Sequence, residues 1–226
     1  MIVQHFNNVI SLSRKYLVDP HGLDDVCYAL FKMFKDESVS IVYEKPMCSH
    51  IFVIGSNFEV RLFINTSHEL HLSIIFDLVN PFSTSALRFI QDIFHNLDKT
   101  FSKFSKSFGD IQLSLRSTFK IDHINIDKLM KSLLSLGVVI EAKEKHHIDN
   151  ITIVLVRGKT VGKHLKMYSI MVTLLYDDIS EVTFTIDSEV ETDNDIVLRV
   201  IDIQNFLYNT IEYIFSYTKN DVYALT

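Results

Sequence analysis

A chain of 226 residues with 47% hydrophobic and 22% charged residues can bury a sizeable core, and this balance excludes a disordered or low-complexity protein. Its apolar runs fall far short of the roughly 20 residues that span a bilayer, and Cys27 and Cys48, with no CxxC spacing, argue against a disulfide framework or a cysteine zinc site. The net charge of −6 is unevenly placed: residues 1–98 sum to −4, residues 99–168 to +7 and residues 169–226 to −9.

The opening MIVQHFNNVISLSRKYL puts polar Gln4, His5, Asn7 and Asn8 where a signal peptide needs an unbroken apolar core, so a soluble intracellular protein is expected, with no membrane partner. Residues 2–18 fit neither the helical nor the strand period cleanly; the expectation is helix at the start and strand later. After the turn Asp19-Pro20-His21-Gly22, apolar residues at 23, 26, 27, 30, 31 and 34 mark one face of a helix over 23–34. Strands are predicted at 39–45, 51–54, 58–65 and 69–78, where Leu70, Leu72, Ile74, Phe76 and Leu78 alternate with mostly polar neighbours. A long helix follows, capped by Ser83, Thr84 or Ser85 and closed before Gly109. Its stripe of Leu87, Ile90, Phe94, Leu97, Phe101, Phe104 and Phe108 suits a helix laid across a sheet better than a coiled-coil seam.

The second half runs through the same plan. Residues 111–119 alternate as a strand, with Ile111, Leu113 and Leu115 inward and Gln112, Ser114, Arg116 and Thr118 outward, and 126–136 read as a helix. Strands at 138–143, 151–157, 167–176 and 182–190 precede a final helix from about 196 to 217. Sequence echoes support a duplication: Leu23-Asp24-Asp25-Val26 against Ile126-Asp127-Lys128-Leu129, and Leu87-Arg88-Phe89-Ile90 against Leu198-Arg199-Val200-Ile201. The offset grows from 103 residues in the first pair to 111 in the second, and the extra residues fall around 158–166. The expected fold is therefore α+β. It is an internally duplicated unit, each copy a four-stranded antiparallel meander covered by a long helix, with a shorter helix before each sheet. The first repeat would be residues 1–110 and the second 111–226, packed as one pseudo-symmetric body without a flexible linker.

The stretch 143–166 carries Lys143, Lys145, Arg157, Lys159, Lys163 and Lys166, with His146, His147 and His164, against Glu144 and Asp149 alone. Lysine and arginine bind phosphates and release counterions, an attraction independent of base sequence, and Tyr168 just beyond could stack a base. Arg116 and Lys120 extend the path. The same charges also serve as solvated edge residues that keep a strand from pairing with other chains, and that alternative stands beside the binding one.

Arg157-Gly158-Lys159-Thr160-Val161, within duplicated units of four strands and a helix, resembles the KGKAAL motif of the Whirly family of single-stranded nucleic-acid-binding proteins. The resemblance implies sheet-face binding of single strands and homo-oligomers built through the helices. This chain departs from the family in carrying the motif in its second sheet and in having a helix before each sheet. The order strand, helix, four strands, helix also looks like the TATA-binding-protein saddle. Tandem RWD-type adaptors, with a helix, a meander and a helix, are similar too and would imply protein binding.

Signals for catalysis are sparse. Val138-Val139-Ile140-Glu141-Ala142-Lys143 mimics the apolar-ExK strand of metal-dependent nucleases, yet such a site needs a further acid on a preceding strand, and Asp122 and Asp127 border a helix instead. Adjacent His146 and His147 would point to opposite faces of a strand and could not easily share a metal, so they read as a pair at a hairpin tip. Asp187, Glu189, Glu191, Asp193 and Asp195 alternate, but without the glycine of a calcium loop they read as a solvated acidic edge. No GxGxxG, P-loop, GxSxG or HExxH occurs. The expectation is a non-enzymatic binder of single-stranded RNA or DNA, without cofactor or metal and oligomeric through its helices. A protein-interaction adaptor or assembly subunit is the rival, and a metal-dependent nuclease the third reading.

Overall fold

A computed structural model describes residues 3–18, 28–29, 32–33, 40–44, 50–54, 58–64, 69–78, 84–103, 105–121, 125–148, 151–160, 169–176 and 180–222. In chain order the elements are β1 (Val3–Val18), β2 (Ser40–Glu44), β3 (His50–Ile54), β4 (Phe58–Ile64), β5 (Glu69–Leu78), α1 (Thr84–Phe101), β6 (Ser105–Ile121), α2 (Ile126–Ser135), β7 (Val138–Ile148), β8 (Ile151–Thr160), β9 (Ser169–Tyr176), β10 (Ser180–Val190), a short 3-10 turn (Asp193–Asp195) and α3 (Ile196–Val222). The class predicted from the sequence, α+β, is the class of the structure. Both meanders are antiparallel, β2 to β5 in one and β7 to β10 in the other. The strand orders are β2-β3-β4-β5-β1 and β7-β8-β9-β10-β6.

The chain divides into two compact units, one of Val9–Ser114 with Glu189–Val197, the other of Met1–Asn8, Leu115–Ser188 and Leu198–Thr226. In the first, alternate residues of the strands meet one stripe of a helix. Ile10, Leu12 and Tyr16 of β1, Leu72, Ile74 and Phe76 of β5 and Ile111 and Leu113 of β6 are buried with Leu87, Ile90, Phe94, Leu97 and Phe101 of α1. Each such side chain is worth about 1.5–3 kcal/mol of burial, which is why a three-and-four spacing on a helix and a two spacing on strands decide the fold together. The Tyr16 and Phe101 rings lie 5.7 Å apart.

Two expectations here are corrected. The N-terminal segment is strand from Val3 onward, not helix at its start. Its inward row reads Ile10, Leu12, Arg14, Tyr16, and the arginine hides the alternation until its partner on α1 is known. The long helix ends at Phe101, where Ser102 N–H donates to Asp98 O at 2.9 Å and Lys103 N–H to Thr100 O at 3.2 Å. Phe108 therefore belongs to β6, Phe104 lies outside the described residues, and Gly109 (φ +76°) sits inside a strand rather than closing a helix. Of the helix predicted over 23–34, Tyr28, Ala29, Lys32 and Met33 are helical and the remainder lies outside the described residues.

The second unit buries Leu115 and Phe119 of β6, Val154 and Val156 of β8, Val182, Phe184 and Ile186 of β10, Leu129 and Leu133 of α2 and Val200, Ile203, Leu207 and Ile211 of α3. Phe119 and Phe184 meet edge to face at 6.0 Å. Helix α2 starts at Asn125, whose Oδ1 accepts from the backbone N–H of Asp127 at 2.9 Å and of Lys128 at 3.3 Å, and it ends before Gly137 at φ +80°. Ser132 Oγ donates to Thr210 O at 3.2 Å, fastening α2 to α3.

Candidate nucleic-acid interface

The basic stretch folds as the β7–β8 hairpin, whose strands run to Ile148 and Thr160, beyond the predicted ends at 143 and 157. On β8, Val154, Val156, Gly158 and Thr160 are buried, while Arg157 and Lys159 between them are exposed. The burial pattern separates a covered face from an open one, as a pleated strand requires.

A bulge at Glu141 then decides which cations share a face. Val139 pairs with Lys159 and Ile140 with Gly158, but Ala142 pairs with Arg157, so residue 141 is extra in β7. Beyond it the alternation of β7 is shifted by one. Lys143 falls opposite Val156 and Lys145 opposite Val154, both buried valines, whereas Arg157 stands opposite Ala142. Paired residues of an antiparallel ladder project to the same side. Lys143 and Lys145, though exposed, thus lie on the opposite face from Arg157 and Lys159.

Gly158 explains the bulge's partner. A Cβ there would meet Val139 O at 2.7 Å and Val138 Cγ1 at 2.8 Å, so the glycine lets β8 press against β7. Its place in the RGKTV run thus has a packing reason. Glu141, the acid of the stretch that mimics a nuclease strand, projects to Lys159 and pairs with its Nζ at 2.9 Å.

On β6, Arg116 is exposed and Lys120 half-buried, on the side opposite Leu115, Ser117 and Phe119. Thr118, expected to face solvent, is buried instead, as is Thr183 of β10, and the two hydroxyls share a 3.0 Å hydrogen bond. Together with the 3.1 Å bond from Gln112 Nε2 to Glu189 Oε1, this runs β6 and β10 in opposite directions with Arg116 across from Thr185. Thr185 pairs with Met171, and Met171 with Arg157. Arg116 and Arg157 therefore occupy one row of one face, three strand spacings or about 14 Å apart, with Lys159 two residues further along β8. Neither arginine forms an ion pair with another described residue. Lys163, His164, Lys166 and Tyr168 lie outside the described residues.

The remaining motifs resolve into local contacts. His146 Nε2 approaches Glu144 Oε2 at 3.4 Å and His147 Nδ1 approaches Thr152 Oγ1 at 3.0 Å, so the two rings have separate partners. In the acidic run, Asp193 pairs with His95 of α1 and its carbonyl accepts from Gln91 Nε2 at 3.3 Å, while Thr192 Oγ1 donates to Asp195 Oδ2 at 2.8 Å. These acids build the entry to α3. Among the described residues no group of three or more His, Cys, Asp or Glu could hold a metal ion, and no helix is long and apolar enough to cross a membrane.

No protein-family model and no curated protein matches the chain. Among solved structures it is similar to the immunity protein TplEi of the T6SS from Pseudomonas aeruginosa, complexed with "L" peptide, at 8% identity over 85% of this chain and 83% of that one, with a TM-score of 0.25.

Proposed function

We propose that this chain binds single-stranded nucleic acid, RNA or DNA, with low sequence specificity, through the sheet face of β6 to β10 that carries Arg116 and Arg157. One observation carries the reading: Arg116 and Arg157 stand in one row of that face, unpaired with any described residue, with Lys159 beside them. Guanidinium groups bind phosphate oxygens in pairs of parallel hydrogen bonds, and cations set across several strands contact successive phosphates without reading base edges. On this reading Arg116, Lys120, Arg157 and Lys159 contact phosphate, and Lys143 and Lys145, which the register puts on the other face, stay at the hairpin edge. The recurrence of one order of elements, β1 with β2 to β5 and α1, then β6 with β7 to β10 and α3, favours two copies of one unit. A chain whose two cysteines lack CxxC spacing suits a reducing compartment, so we place the activity inside the cell.

The test is fluorescence polarisation with labelled oligo-dT. Four phosphate contacts give a salt slope near −3, so affinity should fall roughly 50-fold between about 50 and 200 mM salt. An Arg116→Glu, Arg157→Glu double variant should abolish binding in a protein that still melts cooperatively. Binding that is absent at low salt, or that the double variant retains, removes the proposal.

A second reading, an assembly subunit that contacts protein, has its own observation. Leu198, Ile201 and Tyr208 follow one face of α3 and are 64%, 37% and 50% exposed, a row of large apolar side chains that a buried interface would accommodate. Light scattering after size exclusion should show an oligomer that Leu198→Asp shifts to a smaller mass. A wild-type monomer at every concentration removes this reading.

A further inference from the structure

The hairpin face that carries Arg157 and Lys159 has a second half that the phosphate contacts do not use. From the tip of the hairpin toward its base, β8 presents Ile151, Ile153, Leu155, Arg157 and Lys159 to that face, alternate residues of one strand. Val154 and Val156 between them are buried on the other face. Ile148 of β7 pairs with Ile151, so it joins the same side. The face is therefore aliphatic toward the tip and cationic toward the base. Ile148 and Ile151 are 57% and 41% exposed, and Ile153 and Leu155 are half-buried. A single exposed aliphatic side chain is ordinary, but four neighbours on one face form a contact surface.

We propose, building on the nucleic-acid reading, that this aliphatic strip receives the bases of the strand whose phosphates Arg157 and Lys159 hold. Along β8, Leu155 lies about 7 Å and Ile153 about 13 Å from Arg157. The nearer is within reach of a base whose own phosphate rests on the guanidinium. Glu144, exposed on the same face opposite Leu155, repels phosphate from the strip. That sets the orientation: backbone toward the base of the hairpin, bases toward its tip. Every base has a face that an apolar platform can cover, so contact of this kind adds affinity without reading sequence. A duplex keeps those faces stacked inside, which makes the ligand a strand with unpaired bases.

Fluorescence polarisation with oligo-dT and an abasic strand of equal length separates the bases from the phosphates. Wild type should bind oligo-dT about fivefold more tightly, an aliphatic contact giving the low end of what a base platform contributes. The ratio should hold at both about 50 and about 200 mM salt, because the base contact is not ionic. An Ile148→Ser, Ile151→Ser double variant should weaken oligo-dT about threefold, leave the abasic strand unchanged and melt as wild type does. If that variant fails to fold, the two strands on the wild-type protein decide the matter alone. Equal wild-type affinity for the two strands, or equal losses for both in the variant, overturns this inference and leaves the phosphate contacts standing. Failure of both strands to bind at about 50 mM salt removes the nucleic-acid reading itself, and this inference with it. A double variant that binds oligo-dT as wild type does but has a smaller mass by light scattering assigns the strip to an interface between copies of the chain, which also overturns the inference.

Discussion

Two ion pairs of almost equal length sit in very different surroundings. On β1, Arg14 Nη1 lies 3.0 Å from Asp98 Oδ1, with both side chains about one-fifth exposed; on the β7–β8 hairpin, Lys159 Nζ lies 2.9 Å from Glu141 Oε1, with both nearly half exposed. Distance alone would rank them as equals. The first pair also has a third member, because the Tyr16 hydroxyl donates to the same Asp98 oxygen. Removing Asp98 therefore orphans a charged donor and a buried phenol in the layer between β1 and α1, where most of the lost partner's contact is shielded from water. Removing Glu141 leaves an ammonium that water solvates at once. The difference separates charges that hold the fold from charges that are free to change partner.

The strongest break in this comparison is Asp98→Ala. It should cost about 3 kcal/mol, read as a fall in the denaturant midpoint at unchanged slope, since truncating one partner of a largely buried pair leaves the other uncompensated. A loss under about 1 kcal/mol would place the pair in the same class as the hairpin's. Next comes Gly158→Ala, in the hairpin but acting through packing. The added methyl meets backbone oxygen rather than a flexible side-chain end, so the two strands must move apart, at about 2 kcal/mol. If the variant is as stable as wild type, the close approach at the bulge is not a constraint.

Tyr16→Phe is smaller, about 1 kcal/mol at neutral pH for the lost hydrogen bond, and its pH dependence has a fixed sign. Burial raises the Tyr16 phenol well above its ordinary value, and the hydrogen bond to Asp98 raises it further. In the unfolded chain the same phenol ionises near pH 10. Below that pH both states are protonated and the contribution is complete. Above it the unfolded state sheds a proton that the native state keeps, so stability falls with rising pH by about 1.4 kcal/mol per unit. The advantage of wild type over Tyr16→Phe should therefore narrow above about pH 10; a constant gap from pH 9 to 11 would contradict the burial of this hydroxyl.

Most of the fold was legible because burial here is periodic. The stripe Leu87, Ile90, Phe94, Leu97, Phe101 and the alternation of Leu72, Ile74, Phe76 are complete signals in themselves. The signal failed where a residue's reason lay far along the chain. Arg14 breaks the alternation of β1 and makes sense only with Asp98, 84 residues away. Phe108 continues a helical spacing that Ser102 and Lys103 have already ended. In the candidate site, the cations of 143–166 were visible by composition, but their faces were not. One extra residue at Glu141 sends Lys143 and Lys145 to the other side of the hairpin. Gly158 in the middle of a strand was the local sign of that irregularity, since an interior strand glycine often marks a bulge or a close backbone approach. Arg116, by contrast, was correctly predicted to face outward from alternation alone, and its row with Arg157 emerged from the register.

The smallest stability effect has the most direct bearing on binding. Glu141→Ala should change stability by less than about 0.5 kcal/mol, because an ion pair with both members nearly half exposed gives little beyond what water offers. Its effect on oligo-dT affinity should nonetheless be measurable and in the opposite direction from any loss of fold. With the carboxylate gone, Lys159 loses its ion-pair partner and that face gains one unit of positive charge. Affinity should rise several-fold at about 50 mM salt, and the gain should shrink at about 200 mM as screening weakens the added attraction. Lys159→Ala made alone should lower affinity, and the two changes together should fall near Lys159→Ala, because Glu141 acts on the strand mainly through that lysine. If Glu141→Ala weakens binding, the carboxylate helps to hold the nucleic acid instead of guarding its cation, and the phosphate path does not pass over Lys159.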